Sequence, residues 1–365
     1  MRLLFLELYG HDEILRHLVH AFDFGTNRIS IGCRRAAYER LPGSIKDQRR
    51  YNCHIVENNL SVEQFFTAPP SWLSNHDLTV LITVEEPDAR FFATAPFSGR
   101  TVRVIHNGNT AFRTPGSLRW YGKLFRLHRM PRFEPDFHLF PEPYIAEHFV
   151  RSGAVEPDRV FPSPPFARLR RAVPKHERFT IAVPGTINGE RKRTALLSVI
   201  ARKICRRYPK VRWVFPGRCD MNVQRWGKPG QIVSHKEFTD LATYHRLLGE
   251  AHLWWLPVRP KTAPFGFWEQ VGLTKISGGI NDWRSHGAPI LLPDFYMQNL
   301  TRDPIAIRYP PSPGQVLNAI ETFHNTPEMI KSVERQNRRL LREFQEEQLQ
   351  SFRRAAKNLL RPLRR

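Results

Sequence analysis

Short apolar runs alternate with amphipathic stretches, and this alternation starts twice along the chain. Leu3–Leu8 is apolar and is followed by the turn Tyr9-Gly10-His11. Asp12 can then cap a helix that keeps Ile14, Leu15, Leu18, Val19 and Phe22 on one face. Further apolar runs at Leu78–Val84 and Val102–Ile105, and a weaker one at Phe137–Phe140, extend the pattern. The segment Arg159–Ala172 is basic and proline-rich and reads as a linker. A second series follows, with strands expected at Phe179–Val183, Val211–Phe215, Ile232–Val233, His252–Leu256 and Pro289–Leu292. Helical spacing falls at Leu196, Leu197, Ile200 and Ile204, and again at Leu241, Tyr244, Leu247 and Leu248. Strands alternating with helices imply mainly parallel sheets covered on both faces.

A chain of 365 residues exceeds one ordinary core. The expected division is a first α/β domain over 1–160, a linker over 161–177, a second α/β domain over 178–325 and a basic helix over 326–365. Thr326-Pro327-Glu328 is a good start for that helix: a cap, a proline in the first turn and an acid at the positive end. The four cysteines form no Cys-x-x-Cys pair, so neither a disulfide framework nor a zinc site is expected, and a reducing cytoplasm fits. No apolar stretch approaches the length of a membrane span, and the opening residues do not read as a signal peptide.

In open parallel sheets, ligands bind beyond the carboxyl ends of the strands, where helix N-termini favour phosphate. The second half places its unusual residues there. Pro184–Arg193 carries Gly185 and Gly189, then Arg191 and Lys192. After Leu253–Pro257 come Phe265 and Gly266, then Lys275, Ser277 and Gly278, then Asp282 five residues before Gly287-Ala288-Pro289.

This order resembles the donor half of the retaining GT-B glycosyltransferase superfamily that includes sucrose synthases and bacterial polysaccharide enzymes. The resemblance implies two Rossmann-like domains facing a central cleft, with a C-terminal helix, and transfer of a sugar, a hexose in many relatives, from a nucleotide-diphosphate donor to a hydroxyl acceptor. It implies that Gly185, Arg191, Lys192, Lys275, Ser277 and Gly278 hold the diphosphate, and that Asp282, Phe265 and Gly266 hold ribose and sugar. In that family a second acid stands eight positions before the one at Asp282; here that position is Thr274. The segment Lys236-Glu237-Phe238 falls where the family's base-binding loop sits.

On the acceptor side the resemblance points to His106 and His11 as catalytic residues, with Asn107 beside His106 facing the acceptor; histidine suits proton abstraction at neutral pH. Glu85 and Glu86, ending an expected strand, are candidates for acceptor hydroxyls. No Asp-x-Asp occurs, so a metal-independent reaction without a cofactor is expected, and the three Glu-Pro-Asp triplets read as turns. No other enzyme class has its motif.

The formal net charge of +22 attracts polyanions. Arg113–Arg132, with Trp120, Tyr121, Leu124, Phe125 and Leu127 among its cations, and the tail Phe352–Arg365 suit the surface of an anionic membrane. A lipid-linked acceptor at the inner face of the membrane fits that reading. Nucleic acid is the alternative partner, because DNA glucosyltransferases share the architecture and are basic, although no base-reading motif is evident. A catalytically inactive relative is the third reading, prompted by Thr274.

Overall fold

The computed structural model describes residues 1–25, 27–47, 49–114, 116–119, 132–237, 239–263, 267–296, 306–309 and 312–359. The chain forms two compact units. One comprises Met1–Phe166, Ala263–Glu269 and Glu347–Arg365; the other comprises Ala167–Thr262 and Gln270–Glu346.

The first unit is built on seven strands: β1 (Arg2–Glu7), β2 (Arg28–Arg34), β3 (Tyr51–Val56), β4 (Leu78–Leu81), β5 (Arg100–Val104), β6 (Phe137–Leu139) and β7 (Val160–Phe161). They lie in the order β3-β2-β1-β4-β5-β6-β7, and every pairing is parallel. Leu3, Leu4 and Phe5 of β1 are wholly buried, as a strand covered on both faces requires. Helix Asp12–Phe22 lays Leu15, Leu18, Val19 and Phe22 on the sheet, with Asp12 and Glu13 in its first turn at the positive end. Phe22 meets Phe5 edge-on at 5.4 Å and Phe352 at 5.0 Å between ring centroids.

The second unit repeats the plan with β8 (Thr180–Ala182), β9 (Arg212–Arg218), β10 (Ile232–His235), β11 (Leu253–Trp255) and the strands Ile290–Pro293 and Ala306–Tyr309. Their order is β10-β9-β8-β11, then Ile290–Pro293, then Ala306–Tyr309, again all parallel. Trp213, Phe215 and Trp255 fill its core with Ile200 and Ile204 from helix Thr194–Arg207. In each unit the strand order reverses, at β1/β4 and at β8/β11, and such reversals are where parallel sheets bind ligands.

Three features depart from the sequence expectation. Strands β2 and β3 lie in a region that shows no apolar run. The basic, proline-rich segment opens as β7, and its Phe161 and Phe166 belong to the first core. The helix expected from 326 to about 360 is found at Pro327–Leu359, preceded by a further helix, Pro313–Asn325. Ile330 lies in the second core, and Phe352 and Ala356 in the first. Among the described residues, no helix is long and apolar enough to cross a membrane.

Candidate functional site

At the reversal in the first unit, the loops after β1, β4 and β5 meet in a pocket lined by His11, Thr83, Glu85, His106, Asn107 and Thr110, among others. The loop after β1 is held by Glu7, which is wholly buried. The Glu7 carboxylate accepts hydrogen bonds from Tyr9 N at 2.6 Å, Gly10 N at 2.7 Å and the Thr83 hydroxyl at 2.7 Å. A buried carboxylate needs such partners, and these three tie the loop that carries His11 to the end of β4.

The rings of His11 and His106 stack at 4.8 Å between centroids, 18° from parallel. His106 Nε2 donates to the carbonyl of Ile82 at 2.7 Å, which orients its ring. His11 Nδ1 lies 3.2 Å from Glu13 Oε1. Burial pulls the His11 pKa down, but the bond and charge of Glu13, with Glu7 and Glu85 beyond it, outweigh burial and raise it above the ordinary value. Burial, together with Asp88, raises Glu85.

Asn107 precedes helix Gly108–Phe112, whose first N–H groups are held by Glu269. That wholly buried carboxylate accepts from Asn109 N at 3.1 Å, Thr110 N at 2.7 Å and the Thr110 hydroxyl at 2.8 Å. Glu86, expected beside Glu85 as an acceptor ligand, lines the same pocket and is 5% exposed. Its carboxylate pairs with Arg103 at 2.6 Å and Arg113 at 3.3 Å, so it balances two buried guanidinium groups. The Glu-Pro-Asp triplets at Glu86 and Glu156 do form short turns of 3₁₀ helix.

In the second unit, the loop after β8 turns at Gly185, whose φ of +76° favours glycine. Lys192, 4% exposed, donates from Nζ to the carbonyl of Pro184 at 2.9 Å. Burial pushes its ammonium down to about 7, opposed by the charge of Asp282 and assisted by that of Arg191. Asp282 is half-buried on helix Gly278–His286. Gly279 of that helix sits so close to Leu256 and Pro184 that a Cβ would come within 2.6 Å and 3.1 Å of their side chains.

The structure therefore brings Gly185, Lys192 and Asp282 together. Arg191 is exposed on the same loop. Ser277 caps the helix without a side-chain bond, while its N–H donates to the Tyr296 hydroxyl at 2.9 Å; Gly278 beside it is exposed. Lys275 is half-buried. Thr274 is buried, and its hydroxyl accepts from Gln270 N at 2.9 Å. Phe265, Gly266, Phe238 and the Trp120–Leu127 stretch lie outside the described residues.

Sequence reasoning passed over Glu7, Glu13, Glu269 and Tyr244. The Tyr244 hydroxyl accepts from Gly185 N at 3.1 Å and donates to Asp282 Oδ2 at 2.7 Å. Among the described residues, no group of three or more His, Cys, Asp or Glu side chains is placed to hold a metal ion.

The architecture, two Rossmann-like units and a C-terminal helix, is that of the GT-B class. Solved structures bear this out. The chain aligns over 98% of its length with 99% of the sucrose-phosphate synthase of Thermosynechococcus elongatus, with a TM-score of 0.63 and 11% identity. Anabaena HepE in complex with UDP and glucose gives 0.61 at 11% identity, over 98% of this chain and 99% of that one. A glycosyltransferase from Rickettsia africae gives 0.57 at 9% identity, over 99% of each chain. In fold, then, the chain resembles the GT-B glycosyltransferases. No protein-family model and no curated protein matches it.

Proposed function

We propose that this protein is a glycosyltransferase that moves a sugar, a hexose in the first instance, from a nucleoside-diphosphate donor to a hydroxyl acceptor. The observation that carries the reading is the cluster of Gly185, Lys192 and Asp282 at the β8/β11 reversal. A buried lysine with a depressed pKa next to a glycine turn is a site built to gain from a phosphate charge. Asp282, on the adjoining helix, suits the ribose hydroxyls. Arg191 and Lys275 add charge for the diphosphate, with Ser277 and Gly278 at the helix N-terminus.

In the first unit, His11 takes the proton of the acceptor hydroxyl. Glu13 strengthens it as a base, and Glu85 receives other hydroxyls of the acceptor. Asn107 and His106 line the same pocket and orient the acceptor. The diphosphate is neutralised by cations, so transfer is expected to continue in a chelator. The fold likeness supports a nucleotide-sugar enzyme, since HepE is a complex with UDP and glucose. A lipid-linked acceptor at an anionic membrane is the form we favour, because basic and aromatic residues alternate along Arg113–Arg132.

A thermal-shift panel of UDP, GDP and ADP tests the donor. A ligand that binds only the folded state stabilises it by about 2.7 kcal/mol at a hundred times its Kd. One nucleotide is expected to raise the melting temperature, and Asp282→Ala to remove that rise. A flat panel would overturn the proposal.

A further inference from the structure

Tyr244 stands between the two parts of the candidate donor site. It lies in the first turn of helix Leu241–Gly249, whose start is fixed by Asp240 accepting from Thr243 N at 2.9 Å. The preceding residue Thr239 is anchored by its hydroxyl to the carbonyl of Pro216 at 2.7 Å. From this braced position the phenol reaches both the Gly185 turn and the Asp282 carboxylate. One hydroxyl thus uses its acceptor capacity on the glycine turn and its proton on the acid.

The two groups it joins are those assigned to opposite ends of a nucleoside diphosphate: the turn to the diphosphate and the acid to the ribose. The Asp282 carboxylate also interacts electrostatically with the buried Lys192, which draws on its orientation. The neutral hydroxyl at 2.7 Å fixes one carboxylate oxygen and limits its swing towards the lysine. We propose that Tyr244 is a positioning residue that locks Gly185 and Asp282 into one recognition unit, so that ribose and diphosphate are bound cooperatively. This rests on the donor-site reading of the second unit.

The test is calorimetric titration of the full chain with UDP, GDP and ADP, continued with whichever binds most tightly. Tyr244→Phe removes only the oxygen and is expected to weaken that nucleotide about tenfold, the scale of a hydrogen bond to a charged group. Asp282→Ala weakens it at least as much. The double variant is expected to be no weaker than the weaker single variant, because the two side chains act as one unit. Tyr244→His, which keeps a ring donor, is expected to fall between wild type and Tyr244→Phe, and it serves if the latter does not fold. Equal affinity of wild type and Tyr244→Phe, or additive losses in the double variant, would overturn the inference and leave the donor site standing. A wild type that binds none of the three nucleotides would overturn the donor site and this inference with it.

Discussion

Lys192 should make the protein less stable at neutral pH than a variant without it, and pH should reveal why. Its ammonium is 4% exposed, and its pKa falls from 10.5 to about 7 on folding. Below about pH 7 both folded and unfolded chains hold the proton, and the full cost of burying the charge opposes folding. Between about pH 7 and 10.5 only the unfolded chain binds it, so stability rises with pH across that window. At about 1.36 kcal/mol per pKa unit, the whole shift corresponds to roughly 5 kcal/mol. Lys192→Met removes this cost and leaves the Pro184 carbonyl without its donor, a loss of about 1–2 kcal/mol. The variant should therefore be more stable than wild type by about 3 kcal/mol near pH 7. That advantage should shrink by about 2.3 kcal/mol between about pH 7 and about pH 9, since the folded chain still holds half the proton at its own pKa. Urea unfolding of both proteins at the two pH values measures it. A variant less stable than wild type near pH 7, or an advantage that does not change with pH, would refute the reasoning.

Three further outcomes are expected. With His11 as the base, transfer rises with pH as the raised His11 pKa is passed; Glu13→Gln should move that acidic limb downwards in a pH–rate profile, and an unmoved limb would exclude the pair. Phe352→Ala should cost about 3–5 kcal/mol of stability by denaturant titration, because its ring is 1% exposed against Phe22 and Phe161; a loss within 1 kcal/mol, roughly the scale of a surface change, would place the tail outside the core. Vesicle co-sedimentation should require anionic lipid and weaken with Trp120→Ala, each surface cation contributing about 1 kcal/mol; equal sedimentation with neutral vesicles would reject the electrostatic docking.

The double strand–helix series was legible because β1, β4, β8 and β11 are covered on both faces and read as mainly apolar runs. Strands β2 and β3 were not, because Arg28–Arg34 and Tyr51–Val56 mix charged, polar and apolar residues. Strand β7 hid in a proline-rich stretch that looked like a linker. At the candidate site, Gly185, Lys192 and Asp282 were picked out by the resemblance to the GT-B donor half, and the fold brings these three to one reversal of the second sheet. Glu86 shows what spacing leaves out: a carboxylate at a strand end reads the same whether or not it also pairs with buried guanidinium groups, as this one does with Arg103 and Arg113. Glu7 did carry a signal, a lone acid inside an apolar run, since fully buried glutamates are rare unless partnered. Tyr244 carried none, because at helical spacing its ring looks like one more core residue beside Leu247 and Leu248.

The most direct test of the account is calorimetric titration of the wild-type protein with UDP, GDP and ADP near pH 7.5, run in two buffers of different ionisation heat. A diphosphate beside Lys192 favours its charged form, so binding should take up protons from the buffer. The account predicts that one nucleotide binds with proton uptake and that Lys192→Met abolishes the uptake. Nucleotide binding with no proton exchange would contradict the role of Lys192, and no binding by any of the three would contradict the donor site itself.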